Sequence, residues 1–124
     1  MSIPWGSKWD IEIFQGGGFE LPFELYESLP DGSPDLDSPI NFADGTTGKA
    51  QCRDKERLGS NLVVEFEVVI SDNILTLKLT GAQTEAITVS SGYYDVFVTE
   101  PGTEPQMFVE GKVTVNKAVT SEAP

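Results

Sequence analysis

The chain has no histidine, one cysteine, and 8 lysines and arginines against 20 aspartates and glutamates, for a net charge of −12 over 124 residues. Each shortage excludes something. Without histidine there is no imidazole to activate Cys52 or a serine, and none to ligate a metal. One cysteine permits neither an intrachain disulfide nor a thiolate cluster. Cys52 falls at a core parity of a predicted strand and reads as a small buried hydrophobe. Scarce cations argue against nucleic acid, whose phosphates need lysine and arginine, and against docking on anionic membranes. No apolar run approaches the roughly 18–20 residues that cross a bilayer. The opening Met1-Ser2-Ile3-Pro4-Trp5-Gly6 has neither the basic nor the apolar region of a signal peptide. Synthesis in a cytoplasm without membrane insertion is the expectation, and the acidity itself reads as solubility at high local concentration.

What is present is period-two alternation. Residues 92–99 and 106–115 are aromatic and β-branched runs on either side of a break holding Pro101, Gly102 and Pro105. That pattern predicts an antiparallel hairpin with one face buried, with Met107, Val109, Val113 and Val115 on one parity. A lone hairpin is marginal in water, so the rest of the chain must cover it. The covering strands are predicted at 9–13 (Trp9, Ile11 and Ile13 together), 19–26, 48–53, 62–70 and 74–79, the last with Leu75, Leu77 and Leu79 inward. Pro22 cannot donate to a ladder, which places 19–26 at a sheet edge or on its solvent side. The sum is an all-β fold, an immunoglobulin-like antiparallel β-sandwich of about seven strands. It spans 9–117, with an N-terminal arm at 1–8 and a polar tail at 118–124. Gly92-x-Tyr94 fits a tyrosine corner, whose hydroxyl returns to the backbone of the preceding connection, and Gly111 is a further structural position. A closed barrel is the alternative.

The connections carry little chemistry. Gly16-Gly17-Gly18 is followed by no Lys-Ser/Thr and opens no helix, so it is a turn and not a phosphate loop. Residues 80–91 hold at most one helical turn. Residues 28–47, with Pro30, Pro34 and Pro39 and the acids Asp31, Asp35, Asp37 and Asp44, read as a long irregular acidic loop. Its spacing does not match an EF-hand, so no metal and no cofactor is expected, but unstructured loops of that length are often functional. Alternating acids such as Glu65 and Glu67 look like a solvated face, and with no catalytic motif an enzyme is not expected. The candidate contact residues for a protein partner are Trp5, Trp9, Pro22, Tyr26, Asp37 and Phe42, since aromatic anchors dominate interfaces.

A set of short motifs, in order, resembles a known group. They are Ile13-Phe14-Gln15-Gly16-Gly17-Gly18-Phe19-Glu20-Leu21-Pro22-Phe23, then Asp31-Gly32-Ser33-Pro34-Asp35-Leu36, then Gln51-Cys52-Arg53. Leu79-Thr80-Gly81-Ala82-Gln83-Thr84, Gly92-Tyr93-Tyr94-Asp95-Val96-Phe97-Val98 and Gly111-Lys112-Val113-Thr114-Val115 follow. This series is similar to small bacteriophage tail and baseplate immunoglobulin-like proteins related to the N-terminal domain of siphophage upper-baseplate proteins. It covers Trp9 to about Thr120, with an insertion at 37–46 where the partner surface would differ. The resemblance implies a non-enzymatic virion structural protein, made in the host bacterial cytoplasm. It would be a tail or baseplate component or fibre adaptor, in multi-copy symmetric contact with other virion subunits. A receptor-holding role is not carried over. A capsid decoration protein is the nearest alternative. A host-surface carbohydrate module stacking sugars on Tyr26, Tyr93 or Trp5 is the other.

Overall fold

The computed structural model describes residues 5–57 and 59–119; residues 1–4 of the expected arm and 120–124 of the expected tail lie outside the described residues. Among the described residues ten strands and one short helix occur, in the order β1 (Ser7–Lys8), β2 (Ile11–Phe14), β3 (Phe19–Glu24), β4 (Tyr26–Ser28), β5 (Pro34–Pro39), β6 (Thr47–Arg53), β7 (Leu62–Ser71), β8 (Ile74–Leu79), α1 (Gly81–Glu85), β9 (Ser91–Thr99) and β10 (Gln106–Asn116). The fold is all-β, with sheets packed as a sandwich. The strand order is β1-β10-β9-β6-β7-β8-β3, with β2 also on β10. The long strand β7 joins the two layers. Its first half, through Phe66, pairs with β6, and its second half, from Glu67, pairs with β8.

Alternation puts the core where the sequence predicts it over most of the sandwich. Leu75, Leu77 and Leu79 on β8, Val96 and Val98 on β9, and Val113 and Val115 on β10 are all buried, with Ile11 and Ile13 from β2 beside them. Among the described residues β3 pairs only with β8, so Pro22 does lie on an edge strand, where a missing N–H costs nothing. The sandwich is not purely antiparallel. β1 and β2 run parallel to β10, along the edge that β9 leaves free. Trp9 falls between β1 and β2 and is 41 % exposed, so it does not share the inward face of Ile11 and Ile13.

Three further differences have physical causes. On β10 the register slips between Met107 and Val109, a bulge that turns Phe108 and Val109 inward together. Phe108 becomes the aromatic hub of the core, with ring centroids 5.3 Å from Trp5, 5.9 Å from Phe42 and 6.2 Å from Phe23. Simple parity cannot predict that. Tyr94 does not bond to the preceding connection. Its hydroxyl donates to the carbonyl of Trp9, 85 positions earlier, because the N-terminal strand rather than the β8–β9 connection passes over that ring. The same crossing is held by Trp9 N–H to the Glu110 carbonyl (2.8 Å) and by Lys112 N–H to the Asp10 carboxylate (2.9 Å). Gly111 is required there, since a Cβ would run into the Trp9 carbonyl oxygen; at Gly92 a Cβ would lie 2.8 Å from the Arg53 carbonyl oxygen.

The third difference concerns residues 28–47, expected as irregular loop. Pro34–Pro39 forms β5 and pairs antiparallel with β4 in a separate two-stranded sheet. Elsewhere, α1 is a single capped turn. Thr80 and Gln83 form its capping box, and the buried Thr84 hydroxyl donates to the Gly17 carbonyl and accepts from Gly16 N–H, fixing the triple-glycine turn.

Candidate functional site

Two surfaces stand apart from the scaffold. The first is the β4–β5 hairpin. Its base is held by Leu25 N–H to the Asn73 carbonyl (2.9 Å), Ile40 N–H to the Leu25 carbonyl (3.1 Å) and Asn73 Nδ2 to the Leu25 carbonyl (3.0 Å). Beyond that base no residue from Tyr26 to Pro39 is buried. The turn is closed by Leu29 N–H to the Ser33 carbonyl and by Asp31, whose carboxylate accepts both N–H and Oγ of Ser33. Those hydrogen bonds hold the Asp31 carboxyl below its usual range. Asp35 is tied locally too, accepting from Asp37 N–H and Ser38 Oγ. The hairpin therefore has a defined shape although it adds nothing to the core. It displays Glu27, Asp31, Asp35 and Asp37 with no cation, together with Leu29 and Leu36, the latter 69 % exposed.

The second surface is a groove of about 800 Å³ on the outer side of the β6–β9–β10 layer. The outward parities of three neighbouring strands build its floor: Lys49, Gln51 and Arg53 of β6, Tyr93, Asp95 and Phe97 of β9, and Glu110 and Lys112 of β10. Lys8 and Asp10 close one side, and Lys55, Glu56 and Arg57 of the β6–β7 turn rise at another. Six of the chain's eight cations thus line one surface, with only four of its twenty carboxylates. Among the described residues none of these cations is in an ion pair; the pair observed joins Lys78 and Glu20 (3.9 Å), elsewhere. Arg53 is anchored, donating to the Ser60 carbonyl and to Gln51 Oε1. Partial burial raises the Asp95 carboxyl above its usual range, with Glu110 adding to the rise and Arg53 opposing it. Phe97, 39 % exposed, and the half-buried Tyr93 give the floor an apolar centre.

The candidate contact residues scatter. Phe42 is only 8 % exposed and belongs to the core, so its ring is not available to a partner. Trp5 is half-buried and folds back onto Phe42 and Phe108, with Gly6 N–H bonded to the Phe108 carbonyl. It covers its own sandwich instead of standing out as an anchor. Trp9 is exposed, at the β1–β2 crossing, and Pro22 is exposed on the β3 edge. Tyr26 is half-buried at the hairpin base, donating to the Glu24 carboxylate (2.9 Å). Asp37 is exposed on β5. The structure brings only Tyr26 and Asp37 together, on the hairpin. Tyr94, Gly92 and Gly111 do serve the scaffold, as described above.

The groove was missed because its residues are spread over four segments. A signal existed: residues 9–48 contain nine acids and no cation, and then Lys49, Arg53, Lys55 and Arg57 follow within nine positions, all of one parity.

Chemically the groove offers cations and rings but no nucleophile with a base. Cys52 is buried beneath it, and burial pushes its thiol up to about 11, away from the thiolate a nucleophile needs. Among the described residues no three Cys, Asp or Glu side chains converge to hold a metal. The chain matches no protein-family model and no curated protein sequence.

Proposed function

We propose that the chain is a non-enzymatic structural module of a bacteriophage virion, a tail or baseplate component held in place by protein–protein contacts. The ordered series of motifs from Ile13 to Val115 supports the phage assignment. The observation that carries the interaction role is the β4–β5 hairpin: fourteen residues given a fixed shape with none of them buried. Ordering a chain segment costs roughly 1–2 kcal/mol per residue in backbone entropy, and a segment that returns no core burial is explained by contacts made outside the molecule. Its exposed leucines and uniform negative charge suit a partner surface with apolar and cationic groups.

The test is mass spectrometry of purified particles together with cryo-EM of the tail. The expected result is the intact chain in many symmetry-related copies. Particles lacking it, or purified protein that turns over a substrate, would contradict the proposal.

A further inference from the structure

The two surfaces described above have opposite character on one molecule. The groove presents cations around Phe97 and Tyr93, and the hairpin presents carboxylates around Leu29 and Leu36. Within one chain the root of the hairpin lies a strand's length from the cationic end of the groove. The hairpin is rooted at Asn73, in the β7–β8 turn, whereas Lys55 and Arg57 sit in the β6–β7 turn. The ten residues of β7 lie between those turns, which is about 30 Å of extended chain.

We propose that the groove receives the β4–β5 hairpin of a second copy of this chain. The contact is heterologous, joining two different patches, so repetition gives a closed ring or an open stack rather than a two-fold dimer. The apolar centre supplies most of the affinity, and the charges set orientation and suppress wrong pairings. The net charge of −12 does not prevent this. At physiological salt, repulsion between distant charges is screened beyond about 8 Å, whereas facing groups on the two patches are closer than that. The inference rests on the reading of the chain as an assembly module and names the surfaces such a module would use.

Sedimentation velocity on the full chain over a concentration series tests it, in about 0.1 M and about 1 M salt, where the screening length falls from roughly 10 to 3 Å. The expected result is concentration-dependent assembly at low salt, weakened about tenfold or more at high salt. Two charge reversals sharpen the test. Lys49→Glu with Lys55→Glu alters the groove, and Glu27→Lys with Asp37→Lys alters the hairpin, at side chains that hold no fold contact. Each double variant alone should stay monomeric. An equimolar mixture should assemble again, alternating the two, which a misfolded variant could not do. Wild-type protein that is monomeric throughout, or assembly indifferent to both reversals, overturns the proposal. So does salt-sensitive retention on a sulfated polysaccharide without self-association, which would give the groove to an anionic glycan. A protein that is monomeric in solution yet present in particles defeats this inference and leaves the virion assignment standing. Self-assembly of a protein absent from particles does the reverse.

Discussion

The chain contains two hairpins of opposite economy. In β9–β10 every inward position is filled, the bulge at Met107/Val109 even turns one extra ring into the core, and the pair is flanked on both edges by β6 and by β1 and β2. In β4–β5 nothing is buried and neither strand pairs with the main sheet. The first hairpin is explained by the stability of the fold, and removing its contacts should unfold the protein. The second adds no burial to the fold, and its proposed role lies in what it presents. The difference teaches that an ordered strand is not thereby a structural one: its burial decides which role it has.

The sharpest break of the comparison is Phe108→Ala. Deleting the ring at the hub should cost about 3–5 kcal/mol, read as a shift in the denaturant midpoint with little change in slope. The next is Gly111→Ala. Its methyl would press on the Trp9 carbonyl and dislodge the β1–β2 crossing that Tyr94 and Lys112 also hold. An overpacked contact of this kind costs about 1–3 kcal/mol, and hydrogen exchange should quicken first in β1 and β2.

Alkaline pH acts on the same half of the molecule. The Cys52 thiol titrates at an ordinary value of 9.0 when unfolded and at about 11 when folded, because burial disfavours the thiolate. Between those values the native state keeps a proton that the unfolded state has lost, so stability is unaffected below pH 9 and falls as pH rises towards 11. Burial of the Tyr94 hydroxyl, with Asp10 nearby, pushes in the same direction. The expected loss attributable to Cys52 is about 1–2 kcal/mol, and a Cys52→Ala variant should show a shallower alkaline decline. The smallest effect belongs to the other hairpin. Leu36→Ser should change the unfolding free energy by less than about 0.5 kcal/mol, although a leucine of that size in a core would cost several times more.

Legibility in the sequence follows the same division. Strands β6 to β10 were readable because each buries one face, and burial writes period-two alternation into the residues. The pattern fails where local geometry resets it. The bulge shifts Phe108 across the parity, and the Tyr94 hydroxyl finds its acceptor in the crossing at Trp9, which no local spacing announces. β5 was unreadable for a different reason. Pro34, Asp35, Asp37 and Pro39 are poor strand formers, and a strand that buries nothing has no alternation to display. Trp5 and Phe42 looked like free anchors because large aromatics at a terminus and in a loop carry no sign of which surface they cover; both cover their own core. Of the candidate site, Asp37 stands out by the loop's length and composition and Tyr26 as an aromatic at a strand end, while the groove does not, since it assembles only when β6, β9 and β10 lie side by side.

The separation of stability from recognition is tested most directly by amide hydrogen exchange on the wild-type chain, dilute and at assembling concentration. The account predicts slow exchange in β9 and β10 under both conditions, and fast exchange in β4 and β5 when dilute. Protection should rise on assembly in the hairpin at 26–39 and in the groove strand and turn at 47–57, with β9 and β10 slow throughout. A rise centred on the exposed edge of β3, or hairpin amides already as slow as those of β9 in the dilute monomer, would contradict it.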